Sequence, residues 1–393
     1  MDLKAIQEGL KRSQVDAWLF YDHHHRDPIA YRILRLSGAL CTRRWYYTIP
    51  ASGEPEKLVH RIERGILAGL PGKEHVYSSW TEQQSKLRAM LAGKKKVAMQ
   101  YSPLNAIPYV GLVDAGTLEL VRSAGVEVVS SASLVQEFEA RWSSEALALH
   151  LEAAQAIGEI VRAVFARIRE AIETGPPLDE YALQQEIMTM FDARGLETAD
   201  PPIVAVNAHS SNPHYEPQPS TAAPIRAGDF ILLDLWAKRR APGAVYYDTT
   251  WTAFAGPEAP RRHAEIFDIV RQARDTGIEL IQTTLGFGRA IHGYEVDDAV
   301  RSVIARHGLA DLFVHRTGHS IGEDVHGNGA NADNFETHDA RALIPGTCLS
   351  IEPGIYLPDF GVRSEVDVYV EARGARVTGE IQQAIVPILA HRS

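Results

Sequence analysis

Apolar residues recur at three- and four-residue spacing over residues 147–168, in a stretch that begins after a pair of serines. This spacing predicts a long amphipathic helix with one buried stripe, which the Gly-Pro-Pro sequence starting at residue 175 would end. The same spacing returns over residues 183–195, 260–284 and 295–307. The chain after residue 143 is therefore predicted to contain four substantial helices.

Short apolar runs separated by turn residues dominate the chain before residue 140, with one helical pattern near 80–92. Short runs rich in β-branched and aromatic side chains predict strands. The predicted strands cover residues 16–22, 29–36, 44–50, 57–62, 94–101 and 126–130. The change of pattern near residues 140–145 predicts an α/β protein of two domains, 1–142 and 143–393.

Four carboxylates interrupt or end apolar runs in the second domain. Asp234 stands inside FILLDLWA, Asp248 follows VYY, Glu352 ends CLSIE, and Glu365 lies in VRSEVDVYV, which is predicted to be one alternating strand. A carboxylate inside a buried strand loses its hydration, so it needs a compensating positive charge. Together with His319, which lies in a glycine-rich loop, these side chains predict a group of oxygen and nitrogen ligands for divalent metal ions.

Strand geometry predicts which side chains share a face with these ligands. Side chains alternate faces along a strand, so Asp234 shares its face with Leu232 and Trp236. The same rule places Arg363 and Glu365 on one face of their strand. The predicted ligands therefore lie on sheet, which holds side chains more rigidly than loops do.

Several short motifs accompany these ligands in a fixed order. HRTGHSIGEDVH carries three histidines, EPG begins at Glu352, Arg-Ser-Glu ends at Glu365, and Asn-Pro-His-Tyr ends at Tyr215. With the order Asp, Asp, His, Glu, Glu, the chain resembles the creatinase, prolidase and methionine aminopeptidase superfamily of M24 metallopeptidases. The Xaa-Pro aminopeptidase and prolidase branch is the most similar, and the resemblance covers roughly residues 143–393.

The resemblance implies an architecture and a metal site. It implies a pita-bread α+β catalytic domain with pseudo-twofold symmetry, preceded by a small α/β domain like that of creatinase and prolidase. It implies two divalent ions per chain, with manganese favoured and cobalt, zinc or iron as alternatives. The implied metal ligands are Asp234, Asp248, His319, Glu352 and Glu365.

The resemblance also implies roles in the hydrolysis of Xaa-Pro peptide bonds by a metal-bridging hydroxide. Glu352 would move the proton, and His315 and His326 would stabilise the oxyanion or hold the substrate. His214 would steady the leaving side. Arg363 would either order the surroundings of Glu365 or bind a substrate carboxylate.

Two departures from the family pattern alter the predicted wall of the site. Tryptophans stand after the first aspartate, at Trp236, and where the family has an arginine, at Trp251. A proline substrate needs an apolar slot for its ring. We predict that Tyr215, Trp236 and Trp251 line this slot.

Composition bounds the remaining possibilities. The 393 residues carry a net charge of −10, which argues against nucleic acid or an anionic membrane as a partner. Two cysteines cannot form a disulfide framework, and no apolar signal core opens the chain, so we expect a cytoplasmic protein. The expected partners are a peptide substrate and, by resemblance, a second copy in a homodimer. The consecutive His23, His24 and His25 point in different directions and predict a solvated or interface loop.

The sequence leaves three alternatives open. The N-terminal domain argues against a methionine aminopeptidase, but aminopeptidase P-like and prolidase-like activities are not separated. A metal-dependent lyase of the same superfamily, similar to dimethylsulfoniopropionate lyases, is a second possibility. The third is a pita-bread protein that binds partners without catalysis.

Overall fold

The computed structural model describes residues 1–389 and divides the chain between Glu139 and Ala140 into two units. Unit 1 comprises Met1–Glu139, and unit 2 begins at Ala140. In the range 1–389, no helix combines the length and the apolar composition that crossing a bilayer requires.

Unit 1 is built on one mixed six-stranded sheet with the strand order β4-β3-β2-β1-β5-β6. Its strands are β1 (Ala17–Asp22), β2 (Trp45–Pro50), β3 (Glu56–His60), β4 (Lys73–Tyr77), β5 (Lys96–Met99) and β6 (Glu127–Ser130). Its helices are α1 (Leu3–Arg12), α2 (Pro28–Leu34), α3 (Trp80–Leu91), α4 (Ala115–Arg122) and α5 (Ala132–Phe138). Apolar side chains from both faces of the sheet pack against these helices.

The strand predicted over residues 29–36 is wrong, because the chain forms helix α2 there. The carboxylate of Asp27 caps this helix and accepts a hydrogen bond from the N–H of Ala30 at 2.8 Å. Pro28 occupies the first turn, where its fixed φ favours a helix and its missing N–H costs nothing. The cap therefore outweighs the apolar run that suggested a strand. Strands are present at the other five predicted positions, and the helix predicted near 80–92 is α3.

Unit 2 alternates long helices with short sheets. Its helices are α6 (Ser144–Glu173), α7 (Glu180–Ala193), α8 (Arg261–Gly286) and α9 (Gly293–Arg306). Its first strands are β7 (Leu196–Glu197), β8 (Ile203–Val206), β9 (Phe230–Arg239) and β10 (Tyr247–Phe254). The later strands are β11 (Ser320–Ile321), β12 (Cys348–Ile351), β13 (Gly354–Tyr356), β14 (Gly361–Arg363), β15 (Val366–Val370), β16 (Ala375–Thr378) and β17 (Val386–Pro387).

Each helix pair of unit 2 covers one face of a sheet. The apolar stripes of α6 and α7 pack on β8, β9 and β10. Those of α8 and α9 pack on β12, β14 and β15. The four predicted helices are confirmed, and the opposite sheet faces stay available for polar side chains.

The single strand predicted over VRSEVDVYV is also wrong. The segment forms two strands: β14 pairs with β13, and β15 pairs with β12. Ser364 and Glu365 lie between them. The buried guanidinium of Arg274 on α8 donates to the hydroxyl of Ser364 at 2.7 Å and to the carbonyl of Gln382 at 2.8 Å. This long-range contact stabilises the break, which directs Glu365 toward β10.

Candidate metal centre

Two adjacent antiparallel strands bring Asp234 and Asp248 onto one sheet face. In the β9–β10 pair, Asp234 lies opposite Thr250, and Asp248 lies opposite Trp236. The two aspartates are therefore diagonal neighbours, close enough for their side chains to interact. Both are buried. The alternate β9 residues, including Leu233, pack in the core on the other face, as strand alternation predicted.

His319 reaches this face from the position just before β11, the short strand that pairs with β12. Its N–H donates to the hydroxyl of Ser350 at 3.0 Å. The preceding Gly318 lies so close to β12 that a Cβ would stand 1.9 Å from the Ser350 carbonyl oxygen. Only glycine permits that approach, so Gly318 allows the loop that carries His319 to lie close to β12.

The tautomer of His319 follows from its hydrogen bond. Nδ1 lies 3.2 Å from the carbonyl oxygen of Ser320, which can only accept, so Nδ1 carries the proton. Nε2 then presents its lone pair 3.7 Å from Oδ2 of Asp248 and 3.4 Å from Oε1 of Glu352. A backbone carbonyl behind a histidine is a common way to orient it toward a metal. Burial lowers the pKa of His319, which keeps the ring neutral.

The ligand atoms of Asp248, His319 and Glu365 all lie within 4.8 Å of one another. Oε2 of Glu365 accepts a hydrogen bond from the hydroxyl of Thr250 at 2.7 Å. Burial raises the pKa of Asp248 well above its ordinary value, and the charge of Asp234 adds to the effect. Burial also raises the pKa of Glu365, and Asp248 contributes in the same direction.

These side chains fit divalent metal ions. Oδ1 of Asp234 and Oδ1 of Asp248 are buried without a hydrogen-bond donor within residues 1–389. Leaving buried oxygens unsatisfied is costly, and crowding anionic groups adds repulsion. Carboxylate oxygens with one imidazole nitrogen are a suitable donor set for ions such as manganese or zinc. A cation at this position would offset both costs.

Arg363 is held by the ligands themselves. Its Nη2 lies 2.5 Å from Oδ2 of Asp234, and its Nε donates to the Thr250 hydroxyl at 3.0 Å. Through Thr250 it also supports Glu365. Its Nη1 donates to the hydroxyl of Tyr356 at 2.9 Å. Of the two roles predicted for Arg363, this geometry favours ordering the ligands over binding a substrate carboxylate.

His315 is less available than its predicted oxyanion role requires. Its Nδ1 donates to the carbonyl of Arg316 at 2.8 Å, and its Nε2 accepts from the hydroxyl of Tyr356 at 2.7 Å. Burial lowers the pKa of His315 to about 3. Both ring nitrogens of a neutral imidazole are thus occupied. His315 positions Tyr356, and Tyr356 in turn contacts Arg363.

His326 and His214 face the same cavity from different loops. The ring of His326 packs edge-on to that of His319, with centroids 4.4 Å apart. Both His326 and His214 are exposed, and their ring nitrogens make no hydrogen bond with residues 1–389. Their N–H groups are therefore free to meet a ligand in the cavity.

The cavity has a volume of about 480 Å³ and contains every predicted site residue except Trp251. Tyr215 and Trp236 form part of its wall, beside a small apolar cluster that includes Ile203 and Leu232. The prediction that Trp251 lines it is wrong. Trp251 is one position out of phase with Asp248 and Thr250 along β10, so its ring packs against the helix-covered core on the opposite face.

Two supporting acids were missed by the sequence reasoning. Glu180 on α7 accepts hydrogen bonds from the N–H of Val206, the hydroxyl of Tyr215 and the N–H of Ala223, each at 2.7 Å. It thereby fixes the loop that carries the cavity-lining tyrosine. Asp367 accepts from the N–H of Asp248 at 2.9 Å. Asp367 follows the ligand motif in sequence and could have been suspected; nothing local distinguishes Glu180.

A buried carboxylate–histidine cluster that lines a cavity, on sheets flanked by helix pairs, is a suitable site for the divalent ions that metal-dependent hydrolases use. Metallopeptidase family M24 matches residues 151–372, more than half of the sequence, and the chain belongs to this family. The predicted superfamily and the predicted class of enzyme, a metallopeptidase, are both confirmed.

Similar proteins agree with this assignment. The chain is 26% identical over 333 residues to a probable dipeptidase PepE of Mycobacterium tuberculosis, covering 83% of this chain and 81% of the relative. It is 30% identical over 227 residues to a putative Xaa-Pro aminopeptidase of Mycoplasma pneumoniae, covering 56% and 58%. The crystal structure of PepE from Mycobacterium ulcerans matches with a TM-score of 0.73 at 22% identity, covering 98% and 96%. The predicted α/β pita-bread fold is confirmed.

Proposed function

We propose that this protein is a dinuclear metal-dependent exopeptidase that hydrolyses Xaa-Pro bonds. The observation that carries the proposal is the pair of buried, donor-free oxygens on Asp234 and Asp248 at the base of the cavity. Family membership supplies the reaction class, peptide hydrolysis. The name of one matched relative, a putative Xaa-Pro aminopeptidase, supports the choice of bond.

In this proposal, five side chains hold two divalent ions: Asp234, Asp248, His319, Glu352 and Glu365. When bound, such ions lower the pKa of water and polarise a carbonyl group. Manganese is our preferred metal, and cobalt, zinc or iron also suit this donor set. Arg363 and Thr250 keep Asp234 and Glu365 in place through the hydrogen bonds described above.

Glu352 is the proposed proton carrier. Burial raises its pKa to about 7, where a carboxyl group can both take and return a proton near neutral pH. The hydroxyl of Ser350 donates to Oε1 of Glu352 at 3.0 Å and fixes its direction. The proton would move from the attacking water to the leaving nitrogen through Oε of Glu352.

His326 is the proposed oxyanion donor, because its ring nitrogens make no hydrogen bond with residues 1–389 and its ring lies beside that of His319. His214 would contact the leaving residue from its loop. His315 acts through Tyr356, as a positioning residue. The three histidines predicted as one group thus divide into two that can touch substrate and one that orders the site.

The apolar wall of the cavity supports the proposed preference for proline. Proline places a tertiary amide at the scissile bond, with no N–H and a rigid ring beside it. Such a residue needs ring contacts instead of a hydrogen bond to its nitrogen. Tyr215, Trp236 and Ile203 offer those contacts at the side of the cavity.

A digest with the manganese-reconstituted protein tests the proposal. Elemental analysis should give two ions per chain, and kcat/KM should be far higher for a Xaa-Pro peptide than for its Xaa-Ala analogue. A faster reaction with Xaa-Pro-Yaa than with Xaa-Pro indicates an aminopeptidase; the reverse indicates a dipeptidase. A fully metallated protein that cleaves neither peptide would contradict the proposal and favour the lyase or another hydrolase.

A further inference from the structure

Unit 1 contains a second cavity that the proposed peptidase activity does not use. It has a volume of about 400 Å³. Loops at the ends of β1, β3 and β4 meet there with the segment before β2 and the start of α3. The side chains that matter for the argument are His23, Arg43, Arg44, His60 and Trp80.

The lining is basic. It has two guanidinium groups and two imidazoles, and within the described chain no acidic side chain lines it. The carboxylates close to the lining residues in sequence already accept from backbone N–H groups: Asp22 from His25 and Arg26, Glu63 from Thr42 at 3.0 Å and Arg43 at 2.9 Å, and Glu82 from Ser78 at 2.7 Å. The cavity therefore has a surplus of positive charge.

Arg44 is the unusual member of this group. It is half-buried, and its guanidinium makes no ion pair or hydrogen bond with any residue in the range 1–389. Arg32, the other half-buried arginine of unit 1, is paired with Glu139. A guanidinium that has lost part of its hydration without gaining a partner is costly, and its planar fork fits carboxylate or phosphate oxygens.

Trp80 adds an apolar surface beside the basic groups. Its side chain is 66% exposed at the first position of α3. An exposed indole of this kind can stack on a planar ring of a ligand. The rings of His60 and Tyr77 also line the cavity and pack edge-on, with centroids 4.9 Å apart.

The loop of residues 23–25, which carries three histidines, has a strained backbone. His24 and His25 both have left-handed backbones, with φ of 64° and 55°. Such φ values are uncommon outside glycine and persist only where the surroundings enforce them. Asp22 does so by accepting from the N–H groups of His25 at 3.0 Å and Arg26 at 2.7 Å. The strained turn holds His23 at the cavity.

We propose that this cavity binds a small organic oxyanion that carries an aromatic ring, with Arg44 on the oxyanion and Trp80 on the ring. The head group is a carboxylate or a phosphate ester, since both present paired oxygens to a guanidinium. The proposal is independent of the peptidase activity of unit 2.

Calorimetric titration of the full-length chain tests it with three probes: AMP, indole-3-acetate and inorganic phosphate. AMP or indole-3-acetate should bind one per chain, and inorganic phosphate more weakly because it lacks the ring. If AMP binds more tightly than indole-3-acetate, the preferred head group is a phosphate ester; if indole-3-acetate binds more tightly, it is a carboxylate. Repeating the titrations with Asp248→Asn should leave these affinities unchanged, which separates them from binding at the metal centre.

Variants locate the site. Arg44→Gln should weaken binding about tenfold or more, Arg44→Lys less, and Trp80→Ala about two- to fivefold. The matched control is Arg61→Gln, which removes an exposed charge outside the cavity and should change the affinity less than about twofold. Thermal unfolding checks that each variant is folded. No binding by either aromatic probe would overturn the proposal, as would equal effects of Arg44→Gln and Arg61→Gln.

Discussion

Unit 2 buries two groups of acids that differ in their hydrogen-bond donors. Asp333 accepts from three backbone N–H groups of residues 335–337, at 2.9–3.1 Å. Asp339 accepts from the N–H of Asn331 at 2.9 Å and pairs with Arg341 at 2.6 Å. In the metal centre, by contrast, one oxygen of each aspartate, Oδ1 of Asp234 and Oδ1 of Asp248, finds no donor within the described chain, although Oδ2 of Asp234 pairs with Arg363.

The difference separates acids that stabilise the fold from acids that serve a ligand. A buried carboxylate with several donors contributes to folding, because its charge is compensated inside the protein. A buried carboxylate that lacks them destabilises the fold until something else supplies positive charge. Functional sites commonly carry such a cost. A buried carboxylate oxygen without a donor is therefore a guide to a functional site, and by this guide Asp367, whose Oδ1 also has no donor within residues 1–389, belongs with the metal centre.

Substitution of Glu352 is expected to have the largest effect on activity, and it tests the comparison between structural acids and acids of the metal centre. Glu352→Gln keeps the shape of the side chain and its contact with Ser350 but removes the proton carrier. With manganese-loaded protein, kcat should fall by about 10²–10⁴-fold, while the melting temperature stays close to that of the wild type. A matched loss of stability with little loss of turnover would place Glu352 among the structural acids.

Asp339 should behave in the opposite way. Asp339→Ala leaves the guanidinium of Arg341 buried without its partner, so the free energy of unfolding should fall by about 3–5 kcal/mol. Urea denaturation measures this, with the exposed Asp311→Asn as the control that should have almost no effect. A fully stable Asp339→Ala protein would mean that the donor count does not report on folding.

His326 sharpens the comparison within the cavity. His326→Ala should lower kcat by about 100-fold if its N–H meets the oxyanion, with both metal ions retained. Elemental analysis and steady-state kinetics distinguish this from the loss of a ligand. An equally mild effect of His326→Ala and Glu352→Gln would show that the oxyanion and proton roles are assigned incorrectly.

Substitution of Asp248 should change the free energy of unfolding in opposite directions without and with metal. In excess chelator, Asp248→Asn removes one of the crowded charges and should raise the free energy of unfolding by about 1 kcal/mol or more. In manganese, the same variant should lose the stabilisation that the wild type gains from binding. A decrease in stability under both conditions would show that Asp248 is held by donors rather than by metal.

Local patterns in the sequence predicted most of this picture. Strand alternation predicted the face of Asp234. Applied to β10 from Asp248 onward, it also places Trp251 on the opposite face, away from the cavity. The helix at Pro28 was missed because one cap outweighed an apolar run. The role of His315 depends on Tyr356, 41 residues away. No local pattern predicts such a pairing, because it exists only once the sheets have formed.

The same rule of donors extends to unit 1, where it predicts a change in the slope of stability against pH. Asp22 is surrounded by donors, whereas Asp27 has the Ala30 N–H and the amide of Gln100 at 2.8 Å. Burial raises the pKa of Asp27 from 3.8 to about 7. Between these values the unfolded chain ionises this group while the folded chain keeps it protonated. Stability should therefore fall as the pH rises from about 4 to 7, by at most about 1.4 kcal/mol per pH unit.

Replacing Asp27 by asparagine isolates this contribution. Asp27→Asn retains a helix-capping side chain and should remove the slope, so its stability difference from the wild type should change steadily between pH 4 and pH 7 and be constant above. Asp2→Asn is the matched control, because Asp2 also caps a helix but is exposed. Urea denaturation at several pH values gives both differences. Parallel pH profiles for wild type and Asp27→Asn would show that Asp27 is ionised in the folded chain, and that its few donors are enough to compensate a buried carboxylate.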